Sequence, residues 1–207
     1  MPHTRRSGAP LRTPVAGALL APGAGGNADS PALVDLAKAV ATTGVTVERM
    51  DFPYRVAGRR RPDPPGVLEA SVRDRATDLA QRLRVAADAL VFGGRSMGGR
   101  ICAQVVGAGL PAAGLVLVSY PLHPPGQRER LRTSHFGALE VPCLFVSGTR
   151  DAFGAPEELE AAAAAIPGPV THVWLDGGDH SLRKHTADAA QAVADWIRTT
   201  FAVPADG

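Results

Sequence analysis

Six short apolar runs separated by segments of helical periodicity or long loops constrain this chain more than any other feature. The runs are Val15 to Leu20, Val45 to Met50, Ala89 to Phe92, Gly114 to Tyr120, Val141 to Ser147 and Val170 to Leu175. Gly114-Leu-Val-Leu-Val-Ser-Tyr120 is continuously apolar, which suits a parallel strand covered on both faces. Between the runs, apolar residues recur at helical spacing. Leu33, Leu36, Ala37 and Val40 share one face, as do Val72, Ala76, Leu79 and Leu83, and later Ala189, Val193, Trp196 and Ile197. Ser30-Pro31 reads as a helix start with Ser30 as N-cap, and Gly44 as its stop. Pro156 opens another helix, with Glu157 and Glu158 in its first turn, and the last helix is expected over Lys184 to Phe201. The stretches Tyr54 to Gly66 and Pro121 to Glu140 read as loops. Strands alternating with helices predict an α/β domain whose mainly parallel sheet is covered on both faces.

The 207 residues suffice for one domain with a sizeable core, expected over 15–202 between a flexible segment 1–14 and a tail 203–207. Arg5, Arg6 and Arg12 before Val15 to Ala21 superficially resemble a secretory leader, but the short apolar run ends in Pro22-Gly-Ala-Gly-Gly26 and reads as a strand. With 45% hydrophobic and 20% charged residues and a net charge of +2, the chain is not expected to bind nucleic acid or a membrane. No run approaches a transmembrane length, and a cytoplasmic location is the default expectation. The run Arg59-Arg60-Arg61 reads as a solvated loop. Cys102 and Cys143 lie in apolar segments and read as buried thiols. No Cys/His cluster has zinc-ligand spacing, so neither metal nor cofactor is expected.

The chemistry starts at Gly94-Arg95-Ser96-Met97-Gly98, which directly follows the third apolar run. G-x-S-x-G between a strand and a helix is the pattern of a nucleophile elbow, where the glycines permit a tight turn and a close approach. In open α/β sheets, functional groups collect at the carboxyl ends of strands. Asp151 follows the fifth run and His180 the sixth, so nucleophile, acid and base occur in the order Ser, Asp, His. Serine needs an adjacent base, so His180 is the candidate to take the Ser96 proton and Asp151 to orient the imidazole. The negative oxygen of a tetrahedral intermediate needs fixed N–H donors. Met97, after the nucleophile, is one candidate; Ala24, with Gly25 next, supplies the other from the loop after the first strand.

These residues carry a resemblance. Pro22-Gly-Ala-Gly-Gly-Asn27, Gly93-Gly-Arg-Ser-Met-Gly-Gly-Arg100, Ser119-Tyr-Pro-Leu122, Ser134-His-Phe136, Phe145-Val-Ser-Gly-Thr-Arg-Asp151 and Gly178-Asp-His180 look like a small α/β-hydrolase of the dienelactone-hydrolase-like kind. The family resembled groups compact bacterial hydrolases with a subunit of the NSL chromatin acetyltransferase complex. The resemblance runs from about Val15 to Phe201 and implies the α/β-hydrolase fold without a large cap domain, and a Ser-His-Asp triad. Many relatives carry His where this chain has Pro22, and dienelactone hydrolases proper use a cysteine where this chain has Ser96.

The expected function is therefore hydrolysis of a small ester-like substrate through an acyl-Ser96 intermediate, by a monomer or homodimer; ester, thioester and amide bonds stay open. The short Pro121 to Glu140 loop predicts an open, shallow site. Two rivals come from other classes. One is a non-enzymatic interaction module on the same fold. The other is a dinucleotide site, since Gly23 to Ala28 fits G-x-G-x-x-A and Glu48 lies where a ribose acceptor would. Asp176 and Asp179 compete with Asp151 as the acid, and His185 is expected on the surface. Arg95, His135 and Tyr120 are candidate substrate contacts. Arg95 has a second reading, as an anchor for a neighbouring loop, and so has His135.

Overall fold

In the computed structural model, residues 14–202 are described, and residues 1–13 and 203–207, on which the expected flexible segment and tail fall, lie outside them. Six strands, β1 (Gly17–Ala21), β2 (Thr46–Arg49), β3 (Leu90–Arg95), β4 (Gly114–Val118), β5 (Cys143–Gly148) and β6 (Val170–Leu175), form one sheet in the order β2-β1-β3-β4-β5-β6. Every pairing is parallel. Residues of β1, β4 and β5 are buried throughout, as continuous apolar runs in a doubly covered sheet require.

Helices α1 (Pro31–Ala41), α2 (Pro53–Val56), α3 (Pro65–Leu83), α4 (Met97–Gly107), α5 (Pro156–Ala163) and α6 (Thr186–Thr200) connect and cover the strands. Leu33, Leu36 and Val40 of α1 share one apolar layer with Val193, Trp196 and Ile197 of α6. Val72 and Leu79 of α3, Ile101 and Val105 of α4 and Leu159 of α5 share the other. The faces predicted from helical spacing are thus the buried ones, each large side chain contributing about 1.5–3 kcal/mol relative to exposure.

Two local expectations differ. The stretch expected as one loop after β2 contains α2, because Pro53 sits at a first helical position and Tyr54 is fully buried. Ser30 precedes α1 as expected, but its hydroxyl does not cap the helix. Ser30 Oγ accepts the Asn27 N–H at 2.9 Å and donates to Asn27 Oδ1 at 3.1 Å, bracing the loop after β1 instead.

The strand order places a crevice. β1 and β3 are neighbours, yet β1 leads to α1 on one face and β3 to α4 on the other. The chain parts at that point, and ligands bind beyond the carboxyl ends of the strands there. Close packing of backbone on backbone makes the parting tight. A Cβ at Gly98 would run into the carbonyls of Ala21 and Pro22, and one at Gly93 into the carbonyl of Val116.

Gly98→Ala is therefore expected to destabilise the fold by about 1–3 kcal/mol, opposite in sign to the helix-propensity gain of Gly→Ala. Gly137→Ala, where a Cβ meets nothing within 4 Å, is the control and should stay within about 0.5 kcal/mol. Urea denaturation of both variants checks the contrast.

Candidate active site

Ser96 follows β3 and precedes α4 with φ +50 and ψ −117, a conformation that costs a non-glycine residue about 1–3 kcal/mol. Strand β4 and helix α4 hold it there: Ser96 N–H donates to the Val118 carbonyl at 2.8 Å, and its own carbonyl accepts Arg100 N–H at 3.1 Å. Pairing of Ala21 with Gly94 brings the loop after β1 alongside, so that a Cβ on Gly23 would lie 3.5 Å from that of Ser96.

Three chain segments then meet. Ser96 Oγ lies 2.9 Å from His180 Nε2, and His180 Nδ1 lies 2.8 and 3.0 Å from the two oxygens of Asp151. Asp151 is 5% exposed, and its Oδ1 also accepts the Phe153 N–H at 2.8 Å. An ionised carboxylate only accepts, so it selects the tautomer with the proton on Nδ1 and leaves Nε2 bare toward the serine hydroxyl. The Phe153 ring stacks on the imidazole with centroids 4.0 Å apart. The His180 imidazole is therefore held from two sides, by a carboxylate at one edge and a ring on one face.

The competing acids are engaged elsewhere. Asp179 accepts from Ser181 N–H, Ser181 Oγ and Leu182 N–H, which shapes the turn after His180; the Ser181 hydroxyl leads in holding its carboxyl below the usual range. Asp176 accepts from Thr149 Oγ1 at 3.3 Å. His185 is partly exposed beside Asp188, just before α6.

Between these segments opens a cleft of about 360 Å³, within the range of small-molecule sites. Gly23, Ala24, Met97, Phe153 and His180 line it together with Ser96. Met97 N–H lies in the first turn of α4, where helix amides lack intrahelical partners. Of the two loop donors, Ala24 lines the cleft, whereas Gly25 gives its N–H to the Tyr54 hydroxyl at 3.2 Å. That bond removes Gly25 from the candidate donors and ties the loop to the buried α2 ring.

The substrate-contact candidates separate in the same way. Arg95 lines the cleft and also donates from Nη2 to the His180 carbonyl at 2.7 Å, so the wall residue and the loop anchor are one residue. Tyr120 and His135 lie beneath the wall, 1% and 9% exposed, and neither lines the cleft. Tyr120 Oη donates to the Arg132 carbonyl at 2.6 Å, which leaves His135 Nε2 as the donor in its 3.2 Å contact with Tyr120 Oη. His135 Nδ1 is then a bare nitrogen, buried without a partner. Burial, with the nearby Arg100 charge second, pushes the His135 pKa down to about 4. Burial likewise pushes both thiols, Cys102 and Cys143, up to about 12.

Arg100, Pro121, Arg132 and Phe153 are cleft residues to which sequence reasoning gave no site role. Phe153 follows Asp151 by two residues, so an aromatic beside the acid was the available signal. Arg132 arrives from the long loop after β4, and no local pattern marks it. The dinucleotide reading loses its ribose acceptor, because Glu48 is paired with Arg75 at 3.0 Å and with Arg82. Among the described residues, no group of three or more His, Cys, Asp or Glu side chains is gathered as a metal site, and no helix is long and apolar enough to cross a membrane.

A parallel six-stranded sheet with a serine on a strained strand-to-helix turn at its switch point defines an α/β hydrolase. The chain belongs to the Alpha/beta hydrolase domain family, whose model matches residues 14–203. It is similar in structure to an alpha-beta serine hydrolase homologue from Coxiella burnetii, with TM-score 0.73 and 22% identity over 93% of this chain and 88% of that one. It is also similar to a dienelactone hydrolase from Anabaena variabilis, with TM-score 0.73 and 15% identity over 93% and 90% of the two chains. The esterase domain of a Rhodothermus marinus protein aligns with TM-score 0.68 and 18% identity over 90% and 88%.

The unpartnered His135 nitrogen has a consequence for acid stability. Between pH 6.5 and about 4 the unfolded chain binds a proton that the folded one refuses, so stability falls as pH is lowered through that window. The loss is expected to reach at most about 3 kcal/mol. Urea denaturation at pH 7 and pH 4.5 checks it: His135→Gln should remove most of this residue's share of the pH dependence.

Proposed function

We propose that this protein is a serine hydrolase cleaving a small ester through an acyl-Ser96 intermediate, with Asp151, His180 and Ser96 as its triad. The observation that carries the reading is the continuous hydrogen-bond chain from a buried carboxylate through His180 to a serine held at φ +50. An interaction module without catalysis needs neither that strained serine nor a tautomer selected to leave Nε2 bare. The neighbours described as a serine hydrolase homologue and an esterase domain are in keeping with it.

The steps follow from the geometry. Ser96 Oγ attacks the ester carbonyl carbon while its proton passes to His180 Nε2. The carbonyl π electrons move to oxygen, and the Met97 and Ala24 N–H groups meet that oxyanion. Asp151 stabilises the imidazolium. The oxyanion collapses, the carbon–oxygen bond to the leaving alcohol breaks, and His180 returns the proton to that alcohol. A water then repeats the sequence on the acyl-enzyme, with His180 as base, and releases the acid and free Ser96. The cleft of about 360 Å³ suits short acyl chains.

Short 4-nitrophenyl esters and a fluorophosphonate probe test the reading. Ser96→Ala and His180→Ala should each lower kcat by at least about 10³-fold, and Asp151→Asn by about 10⁴-fold. The probe should label wild type on Ser96. Equal rates for wild type and Ser96→Ala, or an unlabelled Ser96 in folded protein, would overturn it.

A further inference from the structure

The wall of the cleft carries three guanidinium groups, those of Arg95, Arg100 and Arg132. Outside the cleft, Arg49, Arg59, Arg75, Arg82 and Arg128 each meet a carboxylate within 4.0 Å, whereas Arg55 and Arg73 donate to backbone carbonyls. The three in the cleft meet no carboxylate within that distance, among the described residues. Their partners are neutral oxygens: the His180 carbonyl for Arg95, Gln104 Oε1 at 3.1 Å for Arg100, and the Pro121 carbonyl at 3.3 Å for Arg132. Arg100 Nε is buried with no partner.

A guanidinium has five N–H donors and no way to lose its charge in the folded protein. Withdrawing it from water without a counter-charge is costly. Burial depresses the basicity of all three, and Arg100 and Arg130 oppose Arg132 further with like charge. The acidic groups whose field reaches Arg95 and Arg100 are Asp151, Asp179 and Glu69, none within ion-pair distance. Asp151 is committed to His180 and Phe153, and Asp179 to its own turn. Tyr120 beside Arg100 stays a neutral phenol, because burial raises its pKa. No side chain of the described protein therefore neutralises this wall.

Position makes the charge specific. Arg100 lies four residues after Ser96, one helical turn along α4, and so on the same side of that helix. Arg132 comes from the facing loop, its backbone fixed by Tyr120 Oη on its carbonyl and by its own N–H to the Leu122 carbonyl at 2.9 Å. Two forks anchored on separate elements line the cleft that holds the nucleophile. Guanidinium forks match the paired oxygens of carboxylate and phosphate groups. We propose that the ester substrate carries an oxyanion, a carboxylate or phosphate group, which Arg100 and Arg132 clamp while Ser96 faces the carbonyl. This rests on the serine-hydrolase reading and names its substrate class. Arg95, spent largely on the His180 loop, is a positioning residue here.

The test pairs two esters of equal acyl length, 4-nitrophenyl hexanoate and mono-4-nitrophenyl adipate, which differ by a terminal methyl against a carboxylate. Wild type should favour the adipate in kcat/KM by about tenfold or more, the scale of a charged hydrogen bond. Arg100→Gln and Arg132→Gln should each collapse that ratio toward one, and Arg100→Lys should restore part of it. Melting temperatures establish that each variant is folded; if Arg132→Gln is not, the two Arg100 variants decide. Glutarate and inorganic phosphate, as protectants of Ser96 against the fluorophosphonate, separate the two oxyanions, and protection by either supports the clamp. If Ser96 is labelled and hexanoate is cleaved, yet adipate is no better and neither anion protects, the clamp is overturned and the serine mechanism stands. If Ser96 is unlabelled and neither ester is cleaved, the serine mechanism itself falls.

Discussion

Where α4 crosses the end of β1, backbone meets backbone with no room for a side chain. Gly98 lies against the Ala21 carbonyl, and Gly94, at φ +139, against the Ala21 backbone. That contact fixes two things together. It drives the turn that carries Ser96 into its strained conformation, and it brings the loop after β1 beside the serine. Ser96 and the loop after β1 are thus positioned by one steric constraint. The strain is small beside the burial that offsets it, since Leu19, Phe92, Ile101 and Leu117 all pack fully buried around the crossing.

The rest of the site hangs from the neighbouring strands by contacts of the same kind. Gly148, ending β5, lies against the backbone of Gly178, and Arg150 N–H donates to the Gly178 carbonyl at 2.8 Å. The loops that carry Asp151 and His180 therefore hold each other before any side-chain bond is counted. Arg95 completes the link by reaching from β3 to the His180 carbonyl. The imidazole is braced by a backbone junction, an arginine, a carboxylate and an aromatic ring, which is the preorganisation that proton transfer requires.

Much of this was legible in the residues because it is written in local patterns. Continuous apolar runs marked the strands, since a parallel strand covered on both faces has no polar side to alternate. Helical spacing identified the buried faces of α1, α3 and α6. The residues at strand ends, Ser96, Asp151 and His180, converge because a parallel sheet gathers its carboxyl ends on one edge. Illegible were the features decided by which backbone group finds which partner. Gly25 stood next after Ala24 as a loop donor, but Tyr54, 29 residues later, takes its N–H. Ser30 fits a helix cap by pattern, but Asn27 competes for its hydroxyl. Tyr120 and His135 lie near the site in the chain yet beneath its wall in space. The arginine wall depends on Arg100 and Arg132 arriving from different elements, which no single window of residues reveals.

Under the proposed function these arrangements serve one chemical event, transfer of an acyl group to the Ser96 hydroxyl oxygen beside a carboxylate-oriented imidazole. The most direct measurement is rapid-quench mass spectrometry during turnover of a short activated ester. The peptide bearing Ser96 should carry one acyl group in the pre-steady state, formed in step with a burst of released alcohol and lost as deacylation proceeds. A burst without an adduct on that peptide, or an adduct that persists undiminished in Ser96→Ala, would contradict the assignment of Ser96 as the nucleophile.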